Sequence, residues 1–194
     1  YDDLVEYDAA KAREEARKAL GLTDDDLLVV YQGAADQLRV NEVLRPIVEG
    51  LLQQGDPRVI FAPFFHPKDK DAPFVLTNGV WEARPSPAYD PVVARLEGRV
   101  RTILEPNVRN KVADPKARIA MADFVFMNSL SMDIWTAAYL GIPMLIPLLP
   151  LQSEEAKKAN IDPESGFDLI NKGAADVART ESELRYYAED LPGR

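Results

Sequence analysis

The chain has 194 residues, 46% of them apolar, with 32 acidic against 23 basic side chains and a formal net charge of −9. That length can bury one substantial core but is short for two full domains, and so acidic a balance argues against binding duplex nucleic acid or an anionic membrane, either of which needs a basic face. There is no cysteine and His66 is the only histidine, which excludes a disulfide framework, a thiolate nucleophile and a cysteine-based zinc site, so no metal is expected. No run approaches ~18 consecutive apolar residues, and Tyr1 does not open a signal peptide. The expected location is the cytoplasm, with any membrane association peripheral and made through the rest of a longer protein, because a chain opening on Tyr1 rather than Met reads as an excised domain.

In chain order, Val5, Ala9, Ala12, Ala16, Ala19 and Leu20 share one face of a charged segment, a weakly apolar helix stopped by Gly21. Leu27 to Tyr31 is an apolar run of strand length closed by Gln32-Gly33-Ala34. Val40, Val43, Leu44, Ile47, Val48, Leu51 and Leu52 then keep helical spacing, with Pro46 near the start or kinking the helix and Gly55 as the stop. Val59 to Phe65 is the second strand. A proline-punctuated stretch follows, in which Phe74-Val-Leu and Val80-Trp81 flank Thr77-Asn-Gly79, a hairpin signal. The pattern predicts a short helix over Pro91 to Leu96, a third strand over Val100 to Leu104 and a helix over Pro115 to Met121. Strands over Phe124 to Met127, Met144 to Pro147 and Ala174 to Ala178 alternate with helices ending at Gly141, over Ser153 to Ala159 and Phe167 to Asn171, and from Glu181. Strands alternating with helices at this spacing predict a three-layer α/β domain, doubly wound and Rossmann-like, with about six parallel strands.

The segment from Ala122 to Pro147 carries most information: a buried strand, a polar turn with Asn128, Ser129 and Ser131, a helix and another buried strand. A polar turn opening a helix at the carboxyl end of a strand offers free N–H groups and a helix dipole to an anion, which suggests a phosphate site. Ser129 and Ser131 equally suit a helix N-cap, and the two roles are compatible.

Three stretches stand in order: Arg13 to Leu22 with its Leu20-Gly-Leu22, then Leu27 to Gly33; Ala122-Asp123 leading through the serine turn to Gly141-Ile-Pro143; and Gly173-Ala-Ala with Arg179-Thr-Glu181. Together they resemble the carboxyl-terminal, donor-binding domain of glycosyltransferases of the GT-B fold and of the related UDP-N-acetylglucosamine 2-epimerases. The resemblance spans roughly residues 13 to 190 and rests on the order of the motifs. It implies one half of a GT-B enzyme, with residues 1–22 a linker helix from a missing amino-terminal acceptor domain, residues 1–194 a single donor domain, and no activity in isolation. The implied substrate is a nucleotide-diphosphate sugar, with no separate cofactor and no nucleic-acid partner. A nucleotide-sugar 2-epimerase and a non-catalytic nucleotide-binding or regulatory module stay open as alternatives.

The resemblance implies roles for single residues. Ser129, Ser131 and the helix N–H groups would hold the donor diphosphate. Gly33 and Ala34 would let backbone approach the donor, or Gly33 would only make a turn. Where many such domains carry a ribose-binding glutamate, five residues before the helix-ending glycine, this chain has Thr136. Asp133, on the same face, is the substitute, or simply a favourable charge at a helix start. His66, in Pro63-Phe-Phe-His-Pro67, resembles the His-Pro of some 2-epimerases and polyol-phosphate transferases, where the imidazole meets phosphate or acts as acid or base; otherwise it is a loop residue beside two phenylalanines. Asp24-Asp-Asp26 and Asp69-Lys-Asp71 imitate a metal-binding DxD but read as solvated loops, and Arg95, Arg99, Arg101, Arg109 and Lys111 as salt-bridging surface.

Overall fold

The computed structural model describes residues 6–33, 40–66, 69, 71–128, 132–149 and 173–191. Helix α1 (Ala9–Leu20) is capped by the Asp8 carboxylate, which accepts from the Lys11 N–H, and ends at left-handed Gly21. Strand β1 (Leu27–Gln32), helix α2 (Val40–Gln54, with Pro46 inside it) and strand β2 (Val59–Phe64) follow. The expected hairpin is present as β3 (Phe74–Thr77) and β4 (Val80–Ala83). Its turn places Asn78 and Gly79 at φ of 50° and 81°, the paired positive values that suit Asn-Gly between twisted strands. Then come α3 (Asp90–Val93) with a tight turn Ala94–Leu96, β5 (Arg101–Thr102), α4 (Glu105–Lys111) and α5 (Pro115–Ala120). Strand β6 (Phe124–Met127), α6 (Met132–Tyr139), β7 (Met144–Pro147), β8 (Asp176–Ala178) and α7 (Glu181–Glu189) complete the described elements.

Among the described residues six strands form one parallel sheet in the order β5-β2-β1-β6-β7-β8, the doubly wound Rossmann-like arrangement. Alternate strand residues feed two cores. Val29, Tyr31, Val59, Phe61 and Phe126 pack against Val43, Ile47 and Leu51 of α2 and Leu184 of α7. On the other face Leu28, Val30, Ile60, Ala62 and Val125 meet Ala16, Val108, Ile119 and Ile134 from α1, α4, α5 and α6. Covering both faces explains why these strands are continuous apolar runs rather than alternating ones.

Two expectations need correction. The third strand shrinks from Val100–Leu104 to two residues, because Glu105-Pro106 starts helix α4, which the sequence reading passed over. Proline is accommodated at a helix start, where its missing N–H costs nothing. The last strand begins at Asp176 rather than Ala174. The helices expected over 153–159 and 167–171 lie outside the described residues.

Candidate functional site

Strand order reverses between β1 and β6, which run parallel, so the crevice beyond their carboxyl ends is where a doubly wound sheet receives a ligand. Gly33 follows β1 and donates its N–H to the Phe64 carbonyl at 2.7 Å. A Cβ at Gly33 would meet that oxygen at 3.0 Å and the Phe65 Cα at 3.4 Å. Close approach of the two strand ends therefore favours the glycine, whatever else binds there. Asn128, just past β6, donates its N–H to the Gln32 carbonyl at 2.9 Å and its side-chain amide to the Tyr31 hydroxyl at 2.8 Å. It ties the two central strands together at the switch point. Asp133 and Thr136 both sit on α6. Asp133 borders a narrow recess with Gln32, Phe64, Arg109 and Arg118, whereas Thr136 is buried. Ala34, Ser129 and Ser131 lie outside the described residues.

His66 stands two residues beyond β2, half-buried, and its carbonyl accepts the Asp69 N–H at 2.8 Å. The chain around it is built on main-chain accounting. Phe61 accepts from Ile103 on the β5 side of β2, while Phe64 accepts from Gly33 on the β1 side. By alternation Pro63 and Phe65 also turn toward β5, which has already ended. Pro63 has no N–H to satisfy there. Phe65 has one, and the Glu105 carboxylate accepts it at 2.7 Å while Arg109 donates to the Phe65 carbonyl at 3.0 Å.

Glu105 is 2% exposed and forms an ion pair with Arg109, one turn on along α4. Burial pushes its carboxyl up to about 7 against the pull of Arg109. Burial also lowers Arg118, helped by the Arg109 charge nearby. Arg109 is thus a buried hub, correcting its reading as surface: its guanidinium also lies 5.1 Å from the Phe74 ring centre and 4.8 Å from that of Trp81. The neighbouring Asn110 donates to the Trp81 carbonyl and accepts its N–H, so the hairpin is fastened to α4. The signal that could have found this pair was Glu-Pro at a helix start with Arg four residues on.

Both DxD imitations have structural uses. The buried Asp69 carboxylate accepts from the Tyr89 hydroxyl at 2.5 Å and the Asp71 N–H at 2.7 Å. Asp26 accepts from the Thr23 N–H and hydroxyl and pairs with Arg101 at the opposite edge of the sheet. At that edge too, Asp123 accepts from Arg13, Arg17 and the Leu28 N–H, docking α1 against β6. Arg95 pairs with Glu49 on the surface, as expected. Among the described residues no group of three or more acidic or histidine side chains converges on a metal position, and no helix is long and apolar enough to cross a membrane.

Beside the His66 loop lies a cavity of about 430 Å³, walled by Pro63, Phe65, Pro73, Tyr89, Val93, Leu104 and Pro106 with Arg84, Asp90 and Glu105 at its polar points. The Phe65 and Tyr89 rings stack with centroids 4.3 Å apart. The volume is within the range of small-molecule sites.

No family model matches the chain, and no curated protein matches it. Solved structures do. Two variants of the wall teichoic acid polymerase TagF align over 98% of this chain and 41% of theirs, at 12% identity and TM-scores of 0.56 and 0.55. A further structure of that polymerase aligns over 96% of this chain and 39% of its own, at 12% identity and a TM-score of 0.55. The chain spans about two-fifths of the length of these polymerases, and at such identity the likeness establishes a shared fold.

Proposed function

We propose that the chain is the donor-binding domain of a GT-B-type transferase acting on a nucleotide-diphosphate-activated donor. The observation that carries this reading is the switch point itself: the carboxyl ends of β1, β2 and β6 bring Gly33, His66 and Asn128 to one edge, with Asp133 bordering the recess at Gln32 and Phe64. The diphosphate takes the serine turn, where Ser129, Ser131 and the α6 N–H groups stabilise charge as it leaves. The nucleoside takes the apolar cavity between the ends of β2 and β5. His66 accepts the proton of the attacking acceptor hydroxyl. The acceptor binds to a second domain, so this chain alone gives no turnover.

In glycosyl transfer the acceptor oxygen attacks the anomeric carbon, the bond from that carbon to the diphosphate breaks, and a nucleoside diphosphate leaves. The likeness to a wall teichoic acid polymerase favours a second reading, transfer of a polyol phosphate to a cell-wall polymer. There the acceptor oxygen attacks the distal phosphorus, the anhydride bond breaks, and a nucleoside monophosphate leaves. Chromatography of the nucleotide product released by the complete protein separates them. Diphosphate supports the first reading and monophosphate the second; no nucleotide release from either donor class contradicts both.

A further inference from the structure

We infer that Glu105 and Arg109 are positioning residues for His66, acting through the main chain of Phe65. The inference rests on the proposed role of His66 and extends it to two further side chains, of which Glu105 also lines the neighbouring cavity. Strand β2 runs on past the end of β5, leaving the outward N–H and carbonyl of Phe65 without a ladder partner. One ion pair supplies both missing partners: Glu105 accepts the N–H and Arg109 donates to the carbonyl. The next residue is His66.

The geometry is over-determined for a mere loop anchor. Glu105 is 2% exposed and the Arg109 side chain 8%, so both ends of the grip are buried, where a hydrogen bond to a charged group is strong. The hairpin rings of Phe74 and Trp81 hold the guanidinium from another side. The Phe65 ring itself stacks on Tyr89, whose hydroxyl holds Asp69, which in turn donates its N–H to the His66 carbonyl. His66 is therefore gripped on both sides along the chain, and the Glu105–Arg109 pair sets the upstream half.

His66 is the sole histidine, so its imidazole gives a single set of ring signals in a magnetic resonance spectrum of the 194-residue chain. In Glu105→Gln, with a melting curve confirming the fold, these signals should shift or broaden and the Phe65 amide should exchange at least tenfold faster. In the complete protein kcat should fall at least tenfold, and Glu105→Asp should recover part of the loss. If Glu105→Gln does not fold, Arg109→Lys keeps the charge, loses the fork and is expected to show the same changes. Unchanged ring signals and Phe65 exchange in a folded variant overturn the inference. So do shifted signals with wild-type kcat, and His66→Asn then locates the fault: an inactive His66→Asn condemns only the positioning, whereas an active one condemns the reading of His66 itself.

Discussion

His66 is half-buried at the carboxyl end of a central strand, where a doubly wound sheet holds its chemistry. If it is the acid or base, His66→Asn should lower turnover of the complete protein by about 10²–10⁴-fold, far more than it lowers stability. Parallel turnover and thermal-melt measurements decide it, and wild-type turnover would leave the ring as packing. Glu105 offers a second test at the same scale. Its carboxyl is raised by burial from 4.5 to about 7, so the folded state binds the proton more tightly than the unfolded one. The stability this contributes is full below about pH 4.5 and is lost as pH rises through about 7. Wild type should therefore lose stability across that window relative to Glu105→Gln, by no more than about 1.4 kcal/mol per pH unit. Arg109 and Arg118 face Glu105 with opposing charge, whereas the Asp26 carboxyl, held low by the Thr23 N–H, titrates below the window. Denaturant titrations at several pH values give the two profiles; parallel profiles would contradict the assignment.

At the scale of elements, helix–helix contact is set by one residue. A Cβ on Gly50 of α2 would fall inside contact with the Arg185 carbonyl oxygen and 2.6 Å from the Ala188 Cβ, both on α7. Helix propensity alone would favour Gly50→Ala by about 1 kcal/mol, but the obstacle is backbone that cannot swing aside. We expect a net loss of about 1–3 kcal/mol by chemical denaturation; a gain would mean that α7 can move away. The elements themselves were largely legible. Apolar runs marked β1, β2, β6 and β7, and Asn78-Gly79 marked the hairpin, because local conformational demands write themselves into residue type. Helix α4 escaped because its apolar content is one buried Val108, too little for periodicity to register. Strand β5 was overextended because nothing local in Ile103-Leu104 tells a strand from the approach to a helix. Gly33 was understood only in structure, where its reason is a neighbouring strand end 31 residues away. Long-range contacts of that kind, like the grip of Glu105 on Phe65, leave no pattern in a linear chain.

For the whole molecule, the order β5-β2-β1-β6-β7-β8 puts the reversal of strand order between β1 and β6; Gly33, His66 and Asn128 follow strands at the carboxyl edge, while Asp26, Arg101, Arg13, Arg17 and Asp123 brace the opposite edge. One edge is built for rigidity, and the other carries the crevice and the cavity. The central claim is that this crevice binds a nucleoside diphosphate through the serine turn. The most direct measurement is calorimetric titration of the 194-residue chain with a panel of nucleoside diphosphates, repeated on the Ser129→Ala/Ser131→Ala double variant. The account predicts saturable binding of at least one nucleotide, weakened by about 1–3 kcal/mol in the double variant. No saturable heat from any nucleotide, or an affinity unchanged by the two substitutions, would contradict it.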